Sequence, residues 1–127
     1  MSFSKLLWIT ALVVIAYDVV ASLASLILGF SYAYAGIGSA IIYAGAGFLA
    51  ASAVGFRPTI LVGVAAGLVD ATIGWTVSWA IGPGRLASGE LSLAKWFGAA
   101  SSVVVLAVVC AAAGSFIARQ VRARRVA

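Results

Sequence analysis

Residues 58 to 82 read PTILVGVAAGLVDATIGWTVSWAIG, an apolar run of 25 positions interrupted by one charged side chain, Asp70. At a helical rise of about 1.5 Å per residue this run exceeds the roughly 30 Å hydrocarbon core of a bilayer. It is therefore read as a membrane-spanning helix, and the carboxylate in its middle is the feature to explain.

The rest of the chain agrees with that reading. Of 127 residues, 65% are hydrophobic and 9% are charged, with a mean hydropathy of +1.20. A water-soluble domain carries about 25% charged residues. Four windows reach spanning length, at about 6–29, 35–55, 58–82 and 96–118. The sequence thus predicts an all-α integral membrane protein, a four-transmembrane-helix bundle with short loops forming one domain over residues 1–127. Gly29 to Tyr34 (GFSYAY) link the first two spans, and Gly55 to Pro58 (GFRP) make a tight turn between the next two. There Gly55 ends one helix and Pro58, whose missing N–H costs nothing in a first turn, starts the next. Residues 82 to 95 form the only substantial loop.

Basic residues set the expected orientation. Lys5, Arg57, Arg119, Arg122, Arg124 and Arg125 share one side, while Arg85 and Lys95, partly offset by Glu90, lie on the other. Six against two predicts cytoplasmic N and C termini, in a bacterial-type inner membrane crossed by several passes. Trp8, Trp79 and Trp96 fall near the predicted interfaces. Lys5 and the small residues around Ala21 to Ala24 resemble a cleavable leader. The apolar run, however, continues past Asp18, beyond an h-region of about 7–15 residues, so the first span is expected to remain.

Asp18 and Asp70 each lie thirteen residues after the basic residue that opens their span, Lys5 and Arg57. That places both about 20 Å along helices running in the same direction, near the midplane. An offset of 52 residues aligns both pairs and hardly anything else. Asp18, Ser22, Ser25 and Gly29 form one helical face, and Gly63, Gly67, Asp70, Gly74 and Ser78 form another. Such small, polar stripes let helix backbones approach and turn an aspartate toward other helices rather than lipid. Gly47, Ala51 and Gly55 in the second span, and Cys110, Gly114 and Ala118 in the fourth, are further packing seams.

A central aspartate costs about 2.5–3.5 kcal/mol to insert, and no Lys, Arg or His lies inside any span to offset it. The carboxylates are then protonated, hold a cation or share a proton, or line a wet cavity. Tyr17, Ser22, Ser25, Tyr43, Thr72 and Thr76 are the available supporting oxygens. Two functions are consistent with this: a proton- or cation-coupled carrier or channel using Asp18 and Asp70, or a non-catalytic structural or assembly subunit in which the pair is packing glue.

In size and span count the chain resembles the small multidrug-resistance transporters, which dimerise around a carboxylate in the first span. Here that acid is Asp18; the second acid, Asp70, departs from the pattern, and no further motif carries over. Tyr17–Asp18 with the later GLVD, Gly67 to Asp70, is similar to the paired motifs of intramembrane aspartyl proteases. The second glycine and the PAL element are missing, so an enzyme is not expected.

The absence of histidine removes the commonest general base and metal ligand, and Cys110 is a lone thiol with nothing to activate it. No cofactor or metal is expected. The arginine tail is read as a topology anchor whose Arg119, Arg122, Arg124 and Arg125 can contact anionic lipid headgroups, with no nucleic-acid motif beside it. The expected partners are the bilayer, a second copy or other membrane subunits, and a small ion or solute.

Overall fold

The four apolar windows become helices because hydrocarbon offers no partners for free backbone N–H and C=O groups. In the computed structural model, which describes residues 1–88 and 92–126, the helices are α1 (Phe3–Leu28), α2 (Ala35–Ala53), α3 (Phe56–Val69), α4 (Trp75–Ile81), α5 (Pro83–Ser88) and α6 (Leu93–Val126). A short 3-10 turn, Tyr32–Tyr34, leads into α2, and a π turn, Asp70–Gly74, joins α3 to α4. Among the described residues there is no strand, and four helical stretches are long and apolar enough to cross a membrane: Phe3–Leu28, Tyr32–Ala53, Phe56–Ile81 and Leu93–Arg125.

The expected bounds shift in three places. The third span carries the π turn in its middle, where the hydropathy pattern predicts an unbroken helix. The fourth runs on through the arginine tail to Val126. The expected loop over 82–95 contains α5, while Glu90, assigned a charge-offsetting role, lies outside the described residues.

Gly55 joins α2 to α3 at φ 100° and Gly82 ends α4 at φ 130°. Both values favour residues without a Cβ, so the two glycines fix where these helices stop. α3 begins at Phe56, two residues before the expected start, and Pro58 still falls in its first turn, where its missing N–H costs nothing.

The α2 and α3 pair lies between α1 and α6: α6 packs chiefly on α2 and α3, α1 packs on α2, α3 and α4, and α1 and α6 are not neighbours. Glycine sets the closeness. A Cβ on Gly47 would overlap the Ala111 backbone, and one on Gly114 would overlap the Ala44 carbonyl. The seam through Gly47 and Gly114 is therefore real, but Gly55 is exposed at the turn rather than packed in it.

The interior sets alanines around a few larger side chains, with Leu6, Ala46, Ala50 and Val62 in one cluster and Val14, Tyr43, Ala66 and Ala107 in a second. Large apolar residues point outward: Ile27 is 79% exposed while Ala50 is 0% exposed. A soluble protein could not sustain such an apolar exterior, whereas hydrocarbon solvates it. At one end, Arg122 donates to the Ser52 carbonyl at 3.0 Å and Arg119 lies 4.1 Å from the Phe56 ring centroid. Two of the four tail arginines thus hold α6 to the α2–α3 turn, while Arg124 and Arg125 remain exposed.

Candidate functional site

Asp18 lies on the buried face of α1, in line with Thr10, Val14, Ser22 and Ser25. Its four-residue spacing from Val14 and Ser22 carries it inward with them. Asp70 opens the π turn. The Trp75 N–H reaches the Asp70 carbonyl, five residues back. The Thr72 and Thr76 hydroxyls bond to the carbonyls of Leu68 and Thr72, each four residues earlier on their own helix, a pattern that bends helices.

A π turn adds one residue to a turn, rotating the remainder of the span by about 100° relative to an uninterrupted α-helix. The glycine stripe of the third span accordingly serves two neighbours. A Cβ on Gly67 would stand 2.7 Å from the Val104 Cα, and one on Gly63 would stand 3.0 Å from the Val108 Cα, both in α6. Gly74 faces α1 instead, where its Cβ would overlap Asp18 Oδ2 and stand 3.1 Å from Asp70 Oδ1. The missing side chain of Gly74 is what admits both carboxylates to one place.

Both line a single cavity of about 220 Å³, with walls from Tyr32, Ala33, Ala35, Gly36, Ser39, Tyr43, Ala71, Trp75, Ala99, Val103 and Leu106. No lining residue is basic. Tyr43 donates its hydroxyl proton to Asp70 Oδ2, and Ser39 stands beside the same carboxylate. Tyr32 donates to Asp18 Oδ1 at 3.3 Å, whereas Asp18 Oδ2 has no hydrogen-bond partner among the described residues. Among the described residues there is no cluster of three or more His, Cys, Asp or Glu side chains to hold a metal.

The structure brings together only part of the expected set. Asp18, Asp70 and Tyr43 meet in the cavity, and Ser22 is fully buried one turn beyond Asp18. Tyr17 instead donates to the Ala35 carbonyl at 2.7 Å and packs on Gly38, bracing α1 against α2. Ser25 donates to the Phe30 carbonyl at 2.7 Å and helps close the end of α1. Thr72 and Thr76 are exposed on the other side of the π turn. They line a second, open cavity of about 580 Å³ with Trp75, Trp79 and Trp96. The Trp75 and Trp96 rings stack there at 6.4 Å between centroids.

Tyr32, Ser39, Ser78 and Trp75 are the neighbours that the expected site lacked. Tyr32 and Ser39 fall in or just after the first link, and only the α1–α2 reversal brings them back over Asp18 and Asp70. No family model, no curated protein and no solved structure matches this chain. The functional reading therefore rests on the geometry of this cavity.

Proposed function

We propose that this chain is a multi-pass, bacterial-type inner-membrane protein that carries protons or small cations, as a coupled carrier or a channel, on Asp18 and Asp70. The observation that carries the reading is the meeting of two span-interior carboxylates in one cavity whose lining holds no basic residue. Ionising both in a low-dielectric enclosure costs more than ionising one, so the pair retains a proton or a cation. Exchange of that ion is the chemistry available to the site, and no catalytic step is assigned to it. The test is pH-driven flux in liposomes containing the purified chain and its Asp→Asn variants. Because Thr72 and Thr76 lie outside the cavity, Thr72→Val and Thr76→Val are expected to leave that flux within about twofold of wild type. A larger loss would move the working site to the open Trp-lined side.

The charge pattern supports cytoplasmic N and C termini. With Cys110 replaced by Ala, a cysteine at position 88 should react with an impermeant thiol reagent from the non-cytoplasmic side, and one at position 57 from the cytoplasmic side. The reverse labelling overturns the orientation.

A second reading, a subunit or assembly element of a larger membrane complex or a homo-oligomer, draws on the first turns of α6. Residues 93–102 are largely exposed and include the small residues Gly98, Ser101 and Ser102, which suit contact with another helix. A stable partner that co-purifies from native membranes, together with absence of flux, would favour this reading.

A further inference from the structure

The two carboxylates are unequally satisfied. Asp70 accepts the Tyr43 proton and has Ser39 beside it. Asp18 has Tyr32 on Oδ1 and, among the described residues, no partner on Oδ2. Two further buried oxygens, Ser22 Oγ and Ser78 Oγ, also have no hydrogen-bond partner among the described residues. All three residues are enclosed: Asp18 is 2% exposed, and Ser22 and Ser78 are each 0% exposed.

These oxygens belong to one locality. Ser22 lies one turn beyond Asp18 on α1. Ser78 lies four residues beyond Gly74, the residue against which Asp18 Oδ2 rests. Both serine hydroxyls stand close to the Tyr32 phenol without reaching hydrogen-bond geometry, and that phenol has one proton, already directed at Asp18.

Buried polar atoms are matched by a partner in nearly all native structures. Each serine hydroxyl carries its own proton, so a bridging water that donates to Asp18 Oδ2 and accepts from the serines matches all three oxygens. It does not supply the positive charge that an ionised Asp18 lacks beside a cavity lined by no basic residue. A cation accepts lone pairs from all of them at once, and hard cations take oxygen ligands of this kind. One carboxylate among neutral hydroxyls suits a single positive charge.

We propose that Asp18, Ser22, Ser78 and Tyr32 form a subsite for one dehydrated monovalent alkali cation. This rests on the carboxylate-pair reading and names the ion. The shared proton then stays with Asp70 and Tyr43, so the cavity approaches neutrality without a basic residue. The close backbone of Gly74 keeps the subsite too narrow for a bulky organic cation.

The test is binding, measured apart from flux. The purified full-length chain is titrated calorimetrically with sodium, and its thermal midpoint is compared in sodium chloride and in choline chloride at equal ionic strength. Sodium is expected to bind and to raise the midpoint. Ser22→Ala with Ser78→Ala should weaken sodium binding by about tenfold or more, Asp18→Asn should abolish it, and Asp70→Asn should retain it. Equal midpoints with no binding heat in wild type, or unchanged sodium affinity in the double serine variant, overturns the subsite. The two readings fail separately. Sodium binding without any flux keeps the subsite and removes the carrier, whereas pH-driven flux without sodium binding removes the subsite and keeps the carrier.

Discussion

Gly114→Ala is expected to be among the most destabilising single-methyl changes in the helices. The added Cβ would overlap the Ala44 carbonyl oxygen, stand 2.7 Å from the Ala44 carbonyl carbon and 3.0 Å from the Phe48 nitrogen. All of these are backbone atoms of α2, so no side-chain rotation relieves the clash and the two helices must separate. Overpacking of this kind costs about 1–3 kcal/mol and sometimes more, and Gly47→Ala, which meets the Ala111 backbone from the other side, should behave alike. Gly45→Ala and Gly98→Ala are the controls, since a Cβ at either meets nothing within 4 Å. Relieved of glycine's entropic cost in a helix, about 0.5–1 kcal/mol, these two should be neutral or slightly stabilising. Thermal unfolding in detergent reads all four variants. A wild-type midpoint for Gly114→Ala would mean that α2 and α6 do not approach backbone to backbone.

The second large effect concerns the carboxylates. Asn keeps the shape of Asp and much of its hydrogen-bonding capacity while removing titration. Asp18→Asn, Asp70→Asn and the double variant should therefore keep wild-type helical content and oligomer size. Each should lose pH-driven flux by at least roughly tenfold, equivalent to about 1.4 kcal/mol on the limiting barrier. Asp70 should be the more sensitive, because it is seated on the π turn and held by Tyr43. Tyr43→Phe removes that donor and leaves the ring that packs with Val14, Ala66 and Ala107, so flux should fall with little change in fold. A double Asp→Asn variant that assembles and shows wild-type flux would end the carrier reading. Loss of assembly in the same variant would favour the packing role instead.

Asp18, Asp70, Ser22 and Tyr43 were legible from the sequence because an intramembrane carboxylate stands out against apolar neighbours and helical spacing gives its face. Thr72 and Thr76 were legible only as polar residues near Asp70. Their hydroxyls bond back along their own helix, and the π turn leaves them outside the cavity, which an unbroken 3.6-residue period does not anticipate. Tyr17 and Ser25 were drawn off by the Ala35 and Phe30 carbonyls, acceptors contributed by the link after α1 and the start of α2.

By itself the sequence determined four apolar helices of spanning length, the turn at Gly55, and two carboxylates at matching depth on faces of small residues. Each of these is dictated by local composition and by a fixed rise and period per residue. Only the tertiary structure decided that Gly63 and Gly67 face α6 while Gly74 faces Asp18, that Tyr32 closes over Asp18, and that Arg122 reaches back to Ser52. Those outcomes depend on how separate helices rotate and approach one another. One extra residue in a single turn changes that rotation, and hydropathy, which sums side-chain character along the chain, does not register it.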